Sequence, residues 1–203
     1  METMSLTETL LEQPLVYRLW QAPFVAQKFA PVLAHNDMSR VNRVLDVACG
    51  PGTNSRQFAH TTYLGIDINS SYIESARRRY GRDFVAADAR TYRTTPENRF
   101  DFILVNSFLH HINTRDVVEL LSHLRTLLTD DGCVHILELV LPPPRSIARF
   151  LADSDRGKFV RPLEEWKSIF TGIFHPIVLE TYPLTGAGIT LWEMLYFKGR
   201  APK

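Results

Sequence analysis

The sequence predicts an α/β fold: a mostly parallel sheet of seven strands that ends in an antiparallel hairpin, with helices on both faces. Three observations predict it. Apolar runs at residues 43–47, 63–66, 84–86, 100–105 and 133–140 have the length and content of strands buried on both faces of a parallel sheet. Amphipathic segments alternate with them, so the strands belong to βαβ units. Two more apolar runs, residues 175–182 and 191–198, flank Thr185-Gly186-Ala187-Gly188, a connection too short for a crossover helix, and therefore pair antiparallel.

Taken in chain order, residues 10–33 carry apolar side chains on more than one helical face, and Pro23 and Pro31 should break or kink them. Ser71-Tyr72-Ile73-Glu74 fits a capping box opening a helix that Gly81 can close, with Arg77-Arg78-Arg79 where positive charge suits the helix dipole as a solvated end. Val117, Leu120, Leu121, Leu124 and Leu128 form a helical stripe, with Asn113 or Thr114 as its cap and Asp131-Gly132 as its stop. After Pro142-Pro143-Pro144 the pattern becomes a helical insertion over residues 146–153 and 162–170, with Pro162 able to take a first helical position. The expected organisation is one domain over residues 1–203: an N-terminal helical part (1–40), a core (41–141), the insertion (142–172) and a closing hairpin (173–203).

Composition narrows the function classes. The 203 residues are 45% hydrophobic and 22% charged with a formal net charge of +1, which suits a globular protein and argues against disorder and against a nucleic-acid partner. Residues 1–10 are polar and acidic, and no apolar run approaches the roughly 20 residues a membrane span needs, so neither export nor membrane insertion is expected. Cys49 and Cys133 fall in or beside buried strands and read as reduced thiols of a cytoplasmic protein. No metal site is expected, because neither cysteine has a nearby ligand at suitable spacing and the adjacent His110 and His111 point in different directions.

The chemistry concentrates in Val44-Leu45-Asp46-Val47-Ala48-Cys49-Gly50-Pro51-Gly52-Thr53, a buried strand entering a small-residue turn and then a helix, where backbone can approach a ligand closely. The next strand ends at Asp67, about 15 residues after Gly52, where a carboxylate can accept from both hydroxyls of a ribose. The third ends at Asp88-Ala89, again at the edge where open α/β sheets build their ligand crevice. Together these imply a nucleoside site.

On these residues the chain resembles the class I S-adenosylmethionine-dependent methyltransferases of small-molecule type, from about residue 41 to 198. The resemblance implies a Rossmann-like methyltransferase sandwich, S-adenosyl-L-methionine as cofactor and S-adenosyl-L-homocysteine as product, and a small-molecule methyl acceptor with an oxygen, nitrogen, sulfur or carbon nucleophile. It assigns Asp46 and the turn Ala48, Cys49, Gly50 and Gly52 to the methionine moiety, Asp67 with Ile68 to the ribose side, and Asp88 with Ala89 to the adenine. Asn106 matches a position facing both cofactor and acceptor. Ala48 departs from the family, which more often has a glycine there. The N-terminal part, with Tyr17, Trp20 and Gln21, resembles a first lid helix, and the insertion resembles a substrate cover.

Methyl transfer from a sulfonium is an in-line displacement with a neutral leaving group, so alignment can supply much of the catalysis. A base is needed only for a protonated acceptor, and His111, with His110 second, is the candidate; a packing or cofactor-contact role is the alternative. Asp46, inside its strand, reads as an organiser of the turn through hydrogen bonds. Glu138 interrupts an apolar run, and either contacts substrate or pairs with an arginine of the insertion. Asp155, Arg156 and Arg161 could meet a polar substrate or stay solvated. Leu15, Leu19, Trp20 and Phe24 close over substrate, join the core or make a homodimer contact. Among rivals, a nicotinamide dehydrogenase is disfavoured because Thr53 replaces the third glycine or alanine of its fingerprint, and an aminopropyl transferase by the lack of an acidic cluster. A non-catalytic cofactor-binding partner protein of the same fold stays open.

Overall fold

A computed structural model describes residues 24–142, 144, 146, 148–149 and 158–202. The sheet has seven strands: β1 (Arg43–Val47), β2 (Thr62–Asp67), β3 (Asp83–Ala86), β4 (Phe100–Asn106), β5 (Leu128–Leu139), β6 (His175–Gly186) and β7 (Ile189–Arg200). Their order is β3-β2-β1-β4-β5-β7-β6, parallel from β3 through β5 and antiparallel at β5–β7 and β7–β6. The expected mostly parallel, Rossmann-like sheet closed by a hairpin is therefore present. Ala187 and Gly188, both with positive φ, form the two-residue hairpin loop, the geometry that matches strand twist.

Four helices are described in full: α1 (Val25–Ala34), α2 (Ser70–Tyr80), α3 (Thr114–Thr126) and α4 (Leu163–Ile173). The α3 stripe Val117, Leu120, Leu121 and Leu124 is buried against the sheet, and α4 adds Trp166, Phe170 and Ile173 to the same core. On the opposite face Phe29, Phe58, Tyr63, Phe84 and Phe102 form a second cluster with α1 and α2. Full burial of each such side chain stabilises by about 1.5–3 kcal/mol. Among the described residues no helix is long and apolar enough to cross a membrane.

Several local expectations are corrected. Helix α2 starts at Ser70 with Asn69 as its cap, the Asn69 carboxamide accepting from the Ser71 and Tyr72 amides; Glu74 pairs with Arg78 instead of completing a capping box. Asn and Ser compete closely as caps, so the residue two positions earlier that faces the open amides takes the role. Gly81 closes α2 in the left-handed region as expected. Arg77 is more than a solvated end, donating to the Phe84 carbonyl. Helix α3 ends at Thr126, and Leu128 opens β5, so Asp131-Gly132 lie within the strand at a register shift against β4 and stop no helix.

The turn at Gly52 leads into a 3-10 segment (Thr53–Phe58) in place of the expected helix. Thr53, Asn54 and Ser55 are poor helix formers, and the Ser55 hydroxyl folds back to the Gly52 carbonyl. Pro31 lies inside α1 without ending it, and Pro162 caps α4 from outside, where its extended backbone precedes the first helical residue. Most of residues 146–153, expected to be helical, lie outside the described residues.

Candidate functional site

Reversal of strand order between β1 and β4 opens a crevice beyond their carboxyl ends, the place where open α/β sheets bind ligands. The β1 side of the crevice is the turn 48–52, which passes through positive φ at Ala48, Gly50 and Gly52. Gly52 could carry no side chain, since a Cβ there would stand 2.7 Å from the Phe84 ring. At Gly50 a Cβ would meet nothing within 4 Å, so the backbone is open to a ligand's approach. Ala48 accepts the same left-handed conformation with a methyl group, the physical meaning of its departure from glycine.

Asp67 ends β2 beside this turn. Its carboxylate accepts from the Gly50 amide at 2.9 Å and from the Asn69 amide at 2.8 Å, one bond on each oxygen. An ionised carboxylate has about four acceptor sites, so both oxygens retain capacity for further donors such as hydroxyls. The neighbouring Ile68 is 78% exposed, an apolar surface at the rim. Asp88 is held differently: Arg90 grips it through its guanidinium and its backbone amide, and these hydrogen bonds keep its carboxyl below the usual range. Ala89 packs against the core next to it.

Asp46 is fully buried and lies beneath the turn. It accepts from Tyr63 Oη at 2.6 Å and from Asn54 Nδ2 at 3.2 Å. Burial drives its carboxyl up to about 7, against the lowering effect of these two donors. Its connection to the crevice runs through Asn54, whose Oδ1 accepts from Asn106 Nδ2 at 3.2 Å, and onward to Ser107, whose hydroxyl donates to Asn106 Oδ1. Thus Asp46 organises the site from behind, through Asn54 just past the turn and Tyr63 on the adjacent strand.

A pocket in the crevice is lined by Ala48, Cys49, Gly50, Thr53 and Asn54 from the turn and just past it, Asn106 and Ser107 from β4 and its end, and Val25, Lys28 and Phe29 from α1; Asp46, Asp67 and Asp88 are not in that lining. Ser107 also has positive φ, which turns the chain sharply out of β4. Lys28, Asn54, Ser107 and Tyr63 were not anticipated as site residues. Only Asn54 and Ser107 had a readable signal, each a polar residue within two positions of a strand-end motif.

The histidine turn after β4 packs against β5. His110, not His111, is buried, and its Nδ1 pairs with Glu138 Oε1 in β5. Glu138 also accepts from the amides of Leu109 and Leu139. Burial alone would raise the Glu138 carboxyl, but the His110 imidazole and these hydrogen bonds together hold it below its ordinary value. His111 is exposed on the same 3-10 turn, its ring against that of His110 at 4.2 Å. Glu138 thus takes a histidine in place of the expected arginine, because Arg161 is engaged with backbone carbonyls, Thr114 and Glu165. Phe24 packs edge-on against Trp192 in the core. Tyr17, Trp20, Gln21, Asp155 and Arg156 lie outside the described residues. Among the described residues, no group of three or more His, Cys, Asp or Glu is placed to hold a metal ion.

Comparison with known proteins supplies the family. A profile described as a methyltransferase domain matches residues 44–132. The chain is 33% identical over 189 residues to a trans-aconitate 2-methyltransferase of Shigella dysenteriae serotype 1, covering 86% of this chain and 69% of that protein. It is 27% identical over 175 residues to the protein of the same name from Enterobacter sp., covering 83% and 65%. Its fold matches N-methyltransferase NodS from Bradyrhizobium japonicum WM9 with a TM-score of 0.70 at 18% identity, covering 89% of this chain and 98% of that one. NodS has also been crystallised with S-adenosyl-L-homocysteine.

Proposed function

The chain belongs to the class I S-adenosylmethionine-dependent methyltransferases, and from that premise we propose that it methylates a small organic acid, the nucleophile being a carboxylate oxygen. The observation that carries this reading is Lys28, which joins Asn106 and Ser107 in lining the pocket at the end of β4. A lysine in that lining suits an acceptor that carries a negative charge, as an organic acid does. The relatives that act on trans-aconitate, itself a tricarboxylate, support an acid as the acceptor class.

The residues present fit the cofactor. The turn 48–52 would hold the methionine moiety, Asp67 would take the ribose hydroxyls on its remaining acceptor sites, and Ile68 would offer the adenine an apolar surface. Asp88 and Ala89 would border the adenine, with Arg90 keeping the Asp88 carboxylate ionised and oriented. The cofactor supplies a methyl group on a sulfonium, whose departure leaves a neutral thioether. The protein's part is to align the acceptor with that methyl and exclude water. Asn106, hydrogen-bonded to Asn54 and Ser107, would fix the acceptor at the rim.

A carboxylate needs no base, since it is ionised at neutral pH. This accords with a histidine pair in which His110 is committed to Glu138 and His111 faces outward. The test is to incubate the protein with S-adenosylmethionine and a panel of di- and tricarboxylic acids, trans-aconitate included, beside phenol, thiol and amine acceptors, and to follow S-adenosylhomocysteine and methylated product by mass spectrometry. Methyl esters formed only from acids support the proposal; turnover confined to the phenols, thiols or amines contradicts it.

A further inference from the structure

We infer that Arg161 is a positioning residue for the acceptor side of the site, holding the turn that leads from Asn106 into α3. The inference rests on the proposal that the acceptor meets the cofactor beside Asn106. Arg161 is only 4% exposed, and a guanidinium so buried must find acceptors for its donors. Three of those it finds, at Leu109, Ile112 and Thr114, lie on one short stretch of chain. Nη1 donates to the carbonyls of Leu109 at 3.3 Å and Phe159 at 2.9 Å, and Nη2 to the carbonyl of Ile112 at 2.9 Å and the Thr114 hydroxyl at 3.2 Å. Nε meets Glu165 at 3.0 Å, and the guanidinium lies over the Trp166 ring.

The same turn is held from the sheet side by the opposite charge. Glu138 accepts from the Leu109 amide at 2.7 Å and pairs with the His110 ring, so a carboxylate engages an amide of the turn while a guanidinium engages its carbonyls. The Phe159 amide donates to the His110 carbonyl, and the Leu141 amide to the Arg161 carbonyl, which binds the Arg161 stretch to both the turn and the end of β5. Upstream, the Ser107 amide donates to the Leu137 carbonyl, and Ser107 and Asn106 line the pocket. The chain from Asn106 to Thr114 is therefore pinned nearly residue by residue, and Arg161, bridged to Val140 at the end of β5, supplies the donors that hold its carbonyls. The planar fork of arginine spans these separate carbonyls from two different nitrogens; the three donors of a lysine ammonium all leave one nitrogen and cannot reproduce that span.

The experiment compares Arg161→Lys with the wild type and with Glu164→Gln, whose side chain is 79% exposed and serves as control. Each is studied well below its unfolding temperature, as measured by circular dichroism. Hydrogen–deuterium exchange across residues 107–114, calorimetric titration with S-adenosylhomocysteine, and KM and kcat for the acid found in the acceptor panel are the readouts. For Arg161→Lys we expect exchange in the turn faster by about tenfold or more with β1 and β4 unchanged, S-adenosylhomocysteine affinity within about threefold, and acceptor kcat/KM reduced at least about tenfold. Glu164→Gln should resemble the wild type. Wild-type exchange and KM in the lysine variant, or equal losses of cofactor and acceptor binding, would overturn the inference. If no acid is methylated, the proposed acceptor class fails, while the exchange result still decides whether Arg161 pins the turn.

Discussion

Asp67 and Gly50, one at the end of β2 and the other in the turn after β1, are joined by a 2.9 Å hydrogen bond from the glycine amide to the aspartate carboxylate. The bond fixes the turn against the group proposed to hold the ribose, so one carboxylate serves both shape and binding. Asp67→Ala is expected to weaken S-adenosylhomocysteine binding by about 10- to 100-fold, the loss of one or two charge-assisted hydrogen bonds. Calorimetry reads the affinity, and an unfolding curve should show stability lowered by about 1–2 kcal/mol, for the two amide hydrogen bonds, from Gly50 and Asn69, that are lost.

The turn stores backbone strain unequally. Gly52→Ala adds a collision at 2.7 Å to an unfavourable φ of 79°, whereas Gly50→Ala adds only the unfavourable φ of 52°. Gly52→Ala should cost more than about 2 kcal/mol and Gly50→Ala about 1 kcal/mol in urea denaturation. Ala48 at φ 53° already bears that strain, so Ala48→Gly should be neutral or stabilising by up to about 1 kcal/mol.

His135 is buried in β5, stacked on Phe102 at 3.6 Å, with Nδ1 3.0 Å from the Tyr196 hydroxyl. Burial first, and the Lys198 charge second, hold its pKa well below 6.5. The unfolded chain therefore binds a proton near pH 6.5 that the native state refuses, and stability falls as pH drops below that value. His135→Phe keeps the stack and removes this penalty. Melting curves from pH 8 to pH 5 should show the wild type losing ground against the variant; parallel curves would contradict the assignment.

Glu138 and His110 make a buried pair, so removing one partner strands the other. Glu138→Gln should destabilise by about 3 kcal/mol. With its carboxyl held below the ordinary 4.5, Glu138 contributes stability above that pH, lost as pH falls through the lowered value. The low-pH slope of unfolding free energy should flatten in the variant.

A carboxylate acceptor gives His111 no proton to take. His111→Ala is expected to keep kcat within about threefold of wild type, with the pH–rate profile flat across neutrality. A loss beyond a hundredfold, with an ascending limb near pH 6.5 abolished by the variant, would restore His111 as a base.

Much of this was legible in the sequence because it is local. Residues 43–47 read as a strand from their own apolar run, Asp67 from its distance to Gly52, and Asn113 and Gly81 from helix-end chemistry. Pairings across the chain were not. His110 meets Glu138 from 28 positions away, and Arg161 reaches Leu109 across 52, distances at which no periodicity carries information. Asp131-Gly132 misled for the same reason: the pair has turn chemistry, but pairing with β4 draws Leu128 into the sheet and turns it into a shift of register.

The central claim is that this crevice binds S-adenosylmethionine, and the most direct measurement is calorimetric titration of the protein with S-adenosylmethionine, S-adenosylhomocysteine and NAD in parallel. The account predicts binding of the first two with dissociation constants on the order of micromolar, and none of NAD. Binding of NAD alone, or of none of the three, would contradict it.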